Sequence, residues 1–88
     1  MTSTRPIRIL YFAWLREQIG QSEEQFEINS TLSVRECIAK LMDQGPTYQT
    51  VFQDLDPIRV AINQQLATFD DPVHPGDELA LFPPVTGG

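Results

Sequence analysis

The chain has 88 residues, of which 41% are hydrophobic, so it is expected to form one globular domain with a single modest core. Twelve acidic residues against six basic ones give a net charge of −6. This argues against a nucleic-acid partner, because phosphate backbones are bound largely by Lys and Arg; a basic protein partner and simple solubility both fit the acidic balance. With no apolar segment long enough to span a membrane, no secretory leader and one cysteine, a cytoplasmic protein without a membrane partner is expected.

The first third of the chain predicts a β-hairpin with a short helix between its strands. Residues 7–13 are apolar on both sides of a strand alternation, which is typical of a central strand. Residues 14–18 predict one or two helical turns, since Leu15 and Ile19 lie four positions apart and Gly20 can end the helix. Residues 25–28 alternate and predict the second strand of the hairpin.

The middle of the chain predicts one main helix over residues 34–44. Ser33 and Glu36 have the spacing of a capping box, and Gly45 followed by Pro46 supplies a stop signal. Apolar residues then recur at the spacing of one helix face; they are Val34, Cys37, Ile38, Leu41 and Met42.

The remainder predicts a weaker helical turn over residues 48–55, a strand over 58–62, a turn at 63–65, a short strand over 66–69, turns on either side of Val73 and a last strand over 78–82. One amphipathic helix needs one sheet face to bury against. The order of elements therefore predicts an α+β, ubiquitin-like β-grasp fold, with a mixed sheet packed on one main helix. The globular domain is expected over residues 1–82 and a flexible, extended C-terminal tail over residues 83–88.

The tail Pro83-Pro84-Val85-Thr86-Gly87-Gly88 is the most informative segment. The two prolines fix φ and remove backbone donors, which disfavours continuation of the strand. The two glycines have no Cβ, so they can enter a narrow channel. Six extended residues span about 20 Å, enough to carry a terminal carboxylate deep into another protein. An unremarkable frayed terminus is the alternative interpretation.

Few side chains of the sequence are suited to catalysis. Cys37 lies within the apolar helix face and is expected in the core, not as a nucleophile. His74 is the sole histidine and has no cysteine with which to share a metal, so no metal site is expected. The α-carboxylate of Gly88 is therefore the best candidate for a reacting group, in a protein that does not catalyse alone.

Several segments resemble the β-grasp sulfur-carrier family of molybdopterin synthase small subunits (MoaD). The similarity covers nearly the whole chain except a short lead at residues 1–6, and residues 45–57 match nothing specific. The most specific segment is the C-terminal one, because a Gly-Gly ending alone is shared with the wider ubiquitin-like families. The matching segments are Leu10-Tyr11-Phe12-Ala13, Leu15-Arg16-Glu17 with Gly20, Ala61-Ile62-Asn63-Gln64, Pro75-Gly76-Asp77-Glu78 and Leu81-Phe82-Pro83-Pro84-Val85-Thr86-Gly87-Gly88.

The resemblance implies a reaction cycle at Gly88. An adenylyltransferase similar to ubiquitin-activating enzymes uses ATP to adenylate the carboxylate, and a persulfide donor supplies sulfur to form a thiocarboxylate. The tail then enters the large subunit of a heterotetramer, where sulfur passes to cyclic pyranopterin monophosphate to make molybdopterin. Catalytic side chains are expected on the large subunit, and no cofactor is expected on this chain. Expected partner-binding residues are Pro83, Pro84, Val85, Thr86, Gly87 and Gly88.

The uncovered face of the sheet is a second expected contact surface. Phe12, Leu66 and Phe82 are predicted to lie on it and to bind the partner, with an ordinary core position as the alternative.

Three other functions are compatible with the same sequence. The chain could carry sulfur for thiamine, cysteine or tRNA thiolation. It could be a ubiquitin-like modifier joined to target lysines through Gly88. It could also be an interaction domain whose tail is inert.

Overall fold

The computed structural model describes residues 5–84, so residues 1–4 and 85–88 lie outside the described part of the chain. The elements in chain order are β1 (Arg5–Tyr11), α1 (Trp14–Ile19), β2 (Glu23–Ile28), β3 (Leu32–Ser33), α2 (Val34–Met42), α3 (Pro46–Phe52), β4 (Arg59–Ile62), β5 (Gln65–Ala67), β6 (Pro72–Val73) and β7 (Glu78–Phe82).

The main sheet has five strands in the order β2-β1-β7-β4-β5. The neighbouring strands β1 and β7 are parallel, and the other neighbouring pairs are antiparallel. Parallel pairing needs a long crossover connection, and here the crossover contains α2. This mixed sheet with its crossover helix confirms the predicted α+β β-grasp fold.

One face of the sheet, which we call the inner face, forms the core together with the helices. Its central side chains are at most 2% exposed and belong to the same cluster as the buried face of α2. Alternation along each strand places every second residue on this face. The inner-face residues of the three central strands with that exposure are Ile7, Ile9, Tyr11, Val60, Leu79 and Leu81.

The predicted capping box at the start of α2 is confirmed. The Glu36 backbone N–H donates to Ser33 Oγ at 3.0 Å, and the Ser33 N–H donates to Glu36 Oε1 at 2.8 Å. The helix ends at Met42, two residues earlier than predicted. The Gln44 N–H bonds the Leu41 carbonyl at 2.9 Å, so the last turn tightens before the chain leaves the helix.

Residues 45–57, which matched no family segment, contain α3. This helix begins at Pro46 and not at residue 48 as predicted. Proline is tolerated in the first turn because the N–H that it lacks would have no partner there. Val51 and Phe52 enter the core at 4% and 3% exposure. A small second sheet pairs β3 with β6; two-residue strands have too little alternation to be recognised in a sequence.

The β4–β5 hairpin turns through two residues, Asn63 and Gln64, which both have positive φ, as in type I′ turns. Three turn residues and a strand over 66–69 were predicted, so β5 begins one residue early and ends two residues early. The observed register pairs Leu66 with Ala61. Because a one-residue slip would exchange the two faces, this turn determines which face carries Leu66.

Candidate functional site

The face opposite the inner face, which we call the outer face, carries an apolar row across four strands. Leu10 of β1 pairs with Ala80 of β7, Ala80 pairs with Ala61 of β4, and Ala61 pairs with Leu66 of β5. Directly paired residues lie on the same face of a sheet. We call this row, together with the adjoining Phe12 and Phe82, the apolar patch.

Two of the three residues predicted for this surface are exposed to solvent. Phe12 is 45% exposed and Leu66 is 81% exposed, so neither occupies a core position. Within the described residues they are the large hydrophobic side chains classed as exposed. Exposed apolar side chains of this size, when grouped, are typical of interaction surfaces.

Phe12 is held at the end of β1 by the backbone. Its N–H donates to the Leu81 carbonyl at 3.1 Å, and its own carbonyl accepts from the Leu15 N–H at 3.2 Å. The next residue, Ala13, has φ 56° and ψ −132°, a conformation normally reserved for glycine. The chain therefore accepts backbone strain at the turn that sets Phe12 at the edge of the patch.

Phe82 connects the patch to the tail. It is the last residue of β7, pairs with Arg59 of β4 and is half-buried. Pro83 and Pro84 follow it directly, half-buried and exposed respectively. The remaining predicted tail residues lie outside the described part of the chain; they are Val85, Thr86, Gly87 and Gly88.

Charged side chains flank the patch on the outer face. Arg8 Nε lies 3.3 Å from Glu23 Oε2, and Arg8 Nη1 lies 4.0 Å from Glu78 Oε1. On the other side, Arg59 Nη1 donates to the carbonyls of Asp56 at 2.8 Å and Ile58 at 3.0 Å. The patch therefore lies between an ion-paired arginine and one bound to main-chain oxygens.

Sequence reasoning missed part of this surface. Leu10, Ala61, Ala80 and Arg59 were not among the predicted site residues. Strand alternation gives the parity of each residue within its own strand, but the order β1-β7-β4 and its register decide which of them meet. No pattern within a single strand carries that information.

A polar cluster lies at the end of β1, where Tyr11 precedes Phe12. The hydroxyls of Tyr11 and Tyr48 both donate to Glu24 Oε2, at 2.6 and 2.9 Å, and Gln21 Nε2 donates to the Tyr48 hydroxyl at 3.3 Å. Burial, reinforced by Glu24, raises the pKa of both tyrosines above the usual value. The cluster links α3 to the hairpin of β1 and β2.

Neither of the two side chains that the sequence analysis set aside as reacting groups, Cys37 and His74, belongs to the patch. Cys37 is fully buried, and burial raises the pKa of its thiol to about 11, which disfavours the reactive thiolate. His74 Nδ1 lies 2.8 Å from Thr31 Oγ1. Within residues 5–84 there is no group of three His, Cys, Asp or Glu placed to hold a metal, and no helix long and apolar enough to cross a membrane.

Known proteins match this chain over nearly its full length. The ThiS family model matches residues 9–88. The molybdopterin synthase sulfur carrier subunit of Escherichia coli is 36% identical, over 93% of this chain and 99% of that protein. Small archaeal modifier protein 1 of Haloferax volcanii is 34% identical, over 88% and 94% of the two chains.

A solved structure agrees with the sequence comparisons. The crystal structure of SAMP1 from Haloferax volcanii superposes with a TM-score of 0.77 at 30% identity, covering 94% of this chain and 99% of that one. The chain therefore belongs to the ThiS family and is a homologue of the sulfur carrier subunit of molybdopterin synthase.

Proposed function

We propose that this chain is the sulfur carrier subunit of molybdopterin synthase. Its Gly88 carboxylate is adenylated, converted to a thiocarboxylate and used to donate sulfur to cyclic pyranopterin monophosphate, which forms molybdopterin. The observation that carries the proposal is the position of Phe82, after which the tail begins. Phe82 ends β7 inside the apolar patch, and the segment from Pro83 to Gly88 follows it directly. A partner that covers the patch is therefore positioned to receive the tail.

Conversion of the Gly88 carboxylate to a thiocarboxylate takes three steps. A carboxylate is a poor acyl donor, so its oxygen first attacks the α-phosphate of ATP on a separate adenylyltransferase, and pyrophosphate leaves. The terminal sulfur of a persulfide then attacks the acyl carbon, and AMP leaves with the electron pair of the C–O bond. A thiol cleaves the resulting S–S bond and releases the thiocarboxylate, with the thiol sulfur oxidised to a disulfide.

The length of the tail suits delivery into a second protein. Residues 83–88 can span about 20 Å when extended, while the globular domain stays on the surface of its partner. Pro83, Pro84, Val85, Thr86, Gly87 and Gly88 are the proposed tail contacts, and Phe12, Leu66 and Phe82 are the proposed surface contacts. The large subunit is the proposed partner, in a heterotetramer with two small subunits.

The proposed division of labour assigns catalysis to the large subunit. On this chain the buried thiol of Cys37 and the hydroxyl-bound His74 support a carrier without catalytic side chains, metal or cofactor of its own. ATP is consumed by the activating enzyme. The proposed setting is the cytoplasm, where ATP and persulfide donors are available and a lone thiol stays reduced.

A second function is favoured by one specific observation. The similarity to small archaeal modifier protein 1 extends to a fold with a TM-score of 0.77. Activation of Gly88 also precedes attack by a lysine amine, which would give an isopeptide and make the chain a modifier. Isopeptide adducts that join Gly88 to target lysines, detected by peptide mass spectrometry of cell extracts, would establish this activity.

Deletion of Gly88 tests the proposal directly. The deletion variant should form no molybdopterin in a reconstituted mixture of large subunit, activating enzyme, ATP, persulfide donor and cyclic pyranopterin monophosphate, because the shortened tail presents its carboxylate one residue too early. Deletion of Thr2 removes one residue from the opposite terminus and should leave product formation at the wild-type rate. Undiminished product from the Gly88-deleted chain would exclude the proposed function.

A further inference from the structure

Arg59 lies within the outer face at the root of the tail. Its direct cross-strand neighbour is Phe82, and two residues further along β4 is Ala61, which pairs with Leu66. Side chains that are directly opposed have Cβ atoms about 5 Å apart, and diagonal neighbours about 7 Å. Arg59 is therefore the direct neighbour of Phe82 and a diagonal neighbour of Leu66 on the outer face.

The hydrogen bonds of Arg59 leave most of its donors available. Nη1 bonds the carbonyls of Asp56 and Ile58. Nε and Nη2 have no hydrogen-bond acceptor among the residues that the structure describes, and no carboxylate there lies within 4.0 Å. The side chain is exposed, although the chain has twelve acidic residues to six basic ones.

Arg8 provides the contrast on the same face. Its Nε and Nη2 donate to the two carboxylate oxygens of Glu23, at 3.3 and 3.4 Å, and Glu78 lies 4.0 Å from Nη1. Arg8 is therefore neutralised by Glu23 and Glu78, whereas the described residues 5–84 supply no carboxylate to the planar fork of Arg59 beside the apolar patch. Such a fork matches a carboxylate with two parallel hydrogen bonds.

Covering the patch would take the Arg59 guanidinium out of water. A buried charge without a partner is strongly unfavourable, and Arg is enriched among the residues that dominate interface energies. We propose that Arg59 is the charged anchor of the interface and that the large subunit places an Asp or Glu carboxylate against it. This inference rests on the proposed function, and it adds a residue that selects the partner by charge.

Two substitutions of Arg59 distinguish an interface anchor from a residue that only stabilises the turn before β4, where it bonds the carbonyls of Asp56 and Ile58. Arg59→Glu reverses the charge, and Arg59→Met keeps an aliphatic stem without charge. Arg35→Glu is the matched control, because it makes the same change in net charge on α2, where Arg35 Nε is 3.4 Å from Asp70 in an exposed pair. Circular dichroism melts of all three variants show whether the fold is retained.

The measurement is binding of each variant to the purified large subunit by titration calorimetry at several salt concentrations. Arg59→Glu should weaken binding by at least about tenfold, and Arg59→Met by less, since it removes attraction without adding repulsion. The wild-type dissociation constant should rise with salt, and this dependence should flatten in Arg59→Met. Arg35→Glu should stay within about twofold of wild type.

Each result bears on a different claim. Affinity of Arg59→Glu within about twofold of wild type, with an unchanged salt dependence, would overturn the anchor while leaving the carrier function intact. Equal loss in Arg59→Glu and Arg35→Glu would also overturn it, because net charge alone would then explain the loss. Absence of wild-type binding to the large subunit would overturn both the anchor and the proposed function.

Discussion

The two faces of the main sheet differ in the size and the burial of their apolar side chains. Along β1, Ile9 is fully buried on the inner face, while its neighbour Leu10 lies on the outer face and is only partly covered. Along β7, Leu79 and Leu81 are fully buried on the inner face, and Ala80, which lies between them in the sequence, is on the outer face. The same backbone therefore presents large, close-packed side chains to the helices and a shallower apolar row to the outside.

This difference teaches that apolar content alone does not identify the core. On the inner face, side chains are covered within the chain and contribute to folding. On the outer face, the residues in the middle of the patch are alanines, whose side chains extend little beyond the backbone. The large residues Phe12 and Leu66 lie at its margins with 45% and 81% exposure. Substitutions matched in chemistry but placed on opposite faces should consequently affect different properties.

The largest expected effect is on the inner face. Leu79→Ala removes a fully buried side chain and should lower the free energy of unfolding by about 2–5 kcal/mol. Urea denaturation followed by circular dichroism measures this. A loss below about 1 kcal/mol would mean that the inner face is not the close-packed layer that its burial indicates.

The matched substitution on the outer face is Leu66→Ala. Because Leu66 is 81% exposed, the substitution should change the free energy of unfolding of the protein by no more than about 0.5 kcal/mol. Binding to the large subunit should weaken about fivefold to tenfold, as expected for an apolar interface contact. Unchanged affinity, measured by titration calorimetry, would remove Leu66 from the interface.

Much of this comparison could be predicted from the sequence. Alternation in residues 7–13 and 78–82 indicated strands, the Ser33–Glu36 pair located the start of α2, and its apolar stripe identified the helix face in the core. These signals are local and depend on the period of one element. Phe12 and Leu66 were predicted to lie on the uncovered sheet face with a core position left open, and their exposure of 45% and 81% excludes the core position.

What the sequence could not provide was the pairing between distant strands. Arg59 meets Phe82 only because β4 lies beside β7, a contact made by tertiary packing. The end of β5 at Ala67 and the two-residue turn at Asn63 and Gln64 were also missed, because non-glycine residues with positive φ are uncommon and have no strong sequence signal. The roles of the tail residues stay predictions.

High pH should lower the stability of the folded protein, because three groups on the core side of the sheet have raised pKa values. In the unfolded chain a tyrosine ionises near pH 10, whereas in the fold burial, reinforced by Glu24, raises the pKa of Tyr11 and Tyr48 above that value. Cys37 adds to this, since its pKa rises from 9.0 to about 11 on folding. The unfolded chain then binds fewer protons than the native one, so stability is fully present below about pH 9 and falls above it.

Thermal melts between about pH 8 and pH 11 measure this loss. Tyr48→Phe is the matched control: it removes one ionisable hydroxyl that donates to Glu24, so its melting temperature should fall less steeply with pH. A melting temperature that is constant up to about pH 11 would contradict the buried, protonated state of the cluster.

A small gain in stability is expected at the strained turn next to Phe12. Ala13→Gly should raise the free energy of unfolding by about 1 kcal/mol, because glycine adopts φ 56° and ψ −132° without steric cost, and this outweighs its larger entropy loss on folding. Thermal denaturation near neutral pH checks the sign. A loss of stability would show that Ala13 is not strained.

The most direct test of the carrier account is the intact mass of the protein after incubation with ATP, the activating enzyme, a persulfide donor and a reducing thiol. The account predicts a gain that matches one oxygen replaced by sulfur, and fragmentation should assign it to Gly88. The absence of any gain, while an established sulfur carrier is loaded in the same mixture, would contradict the account.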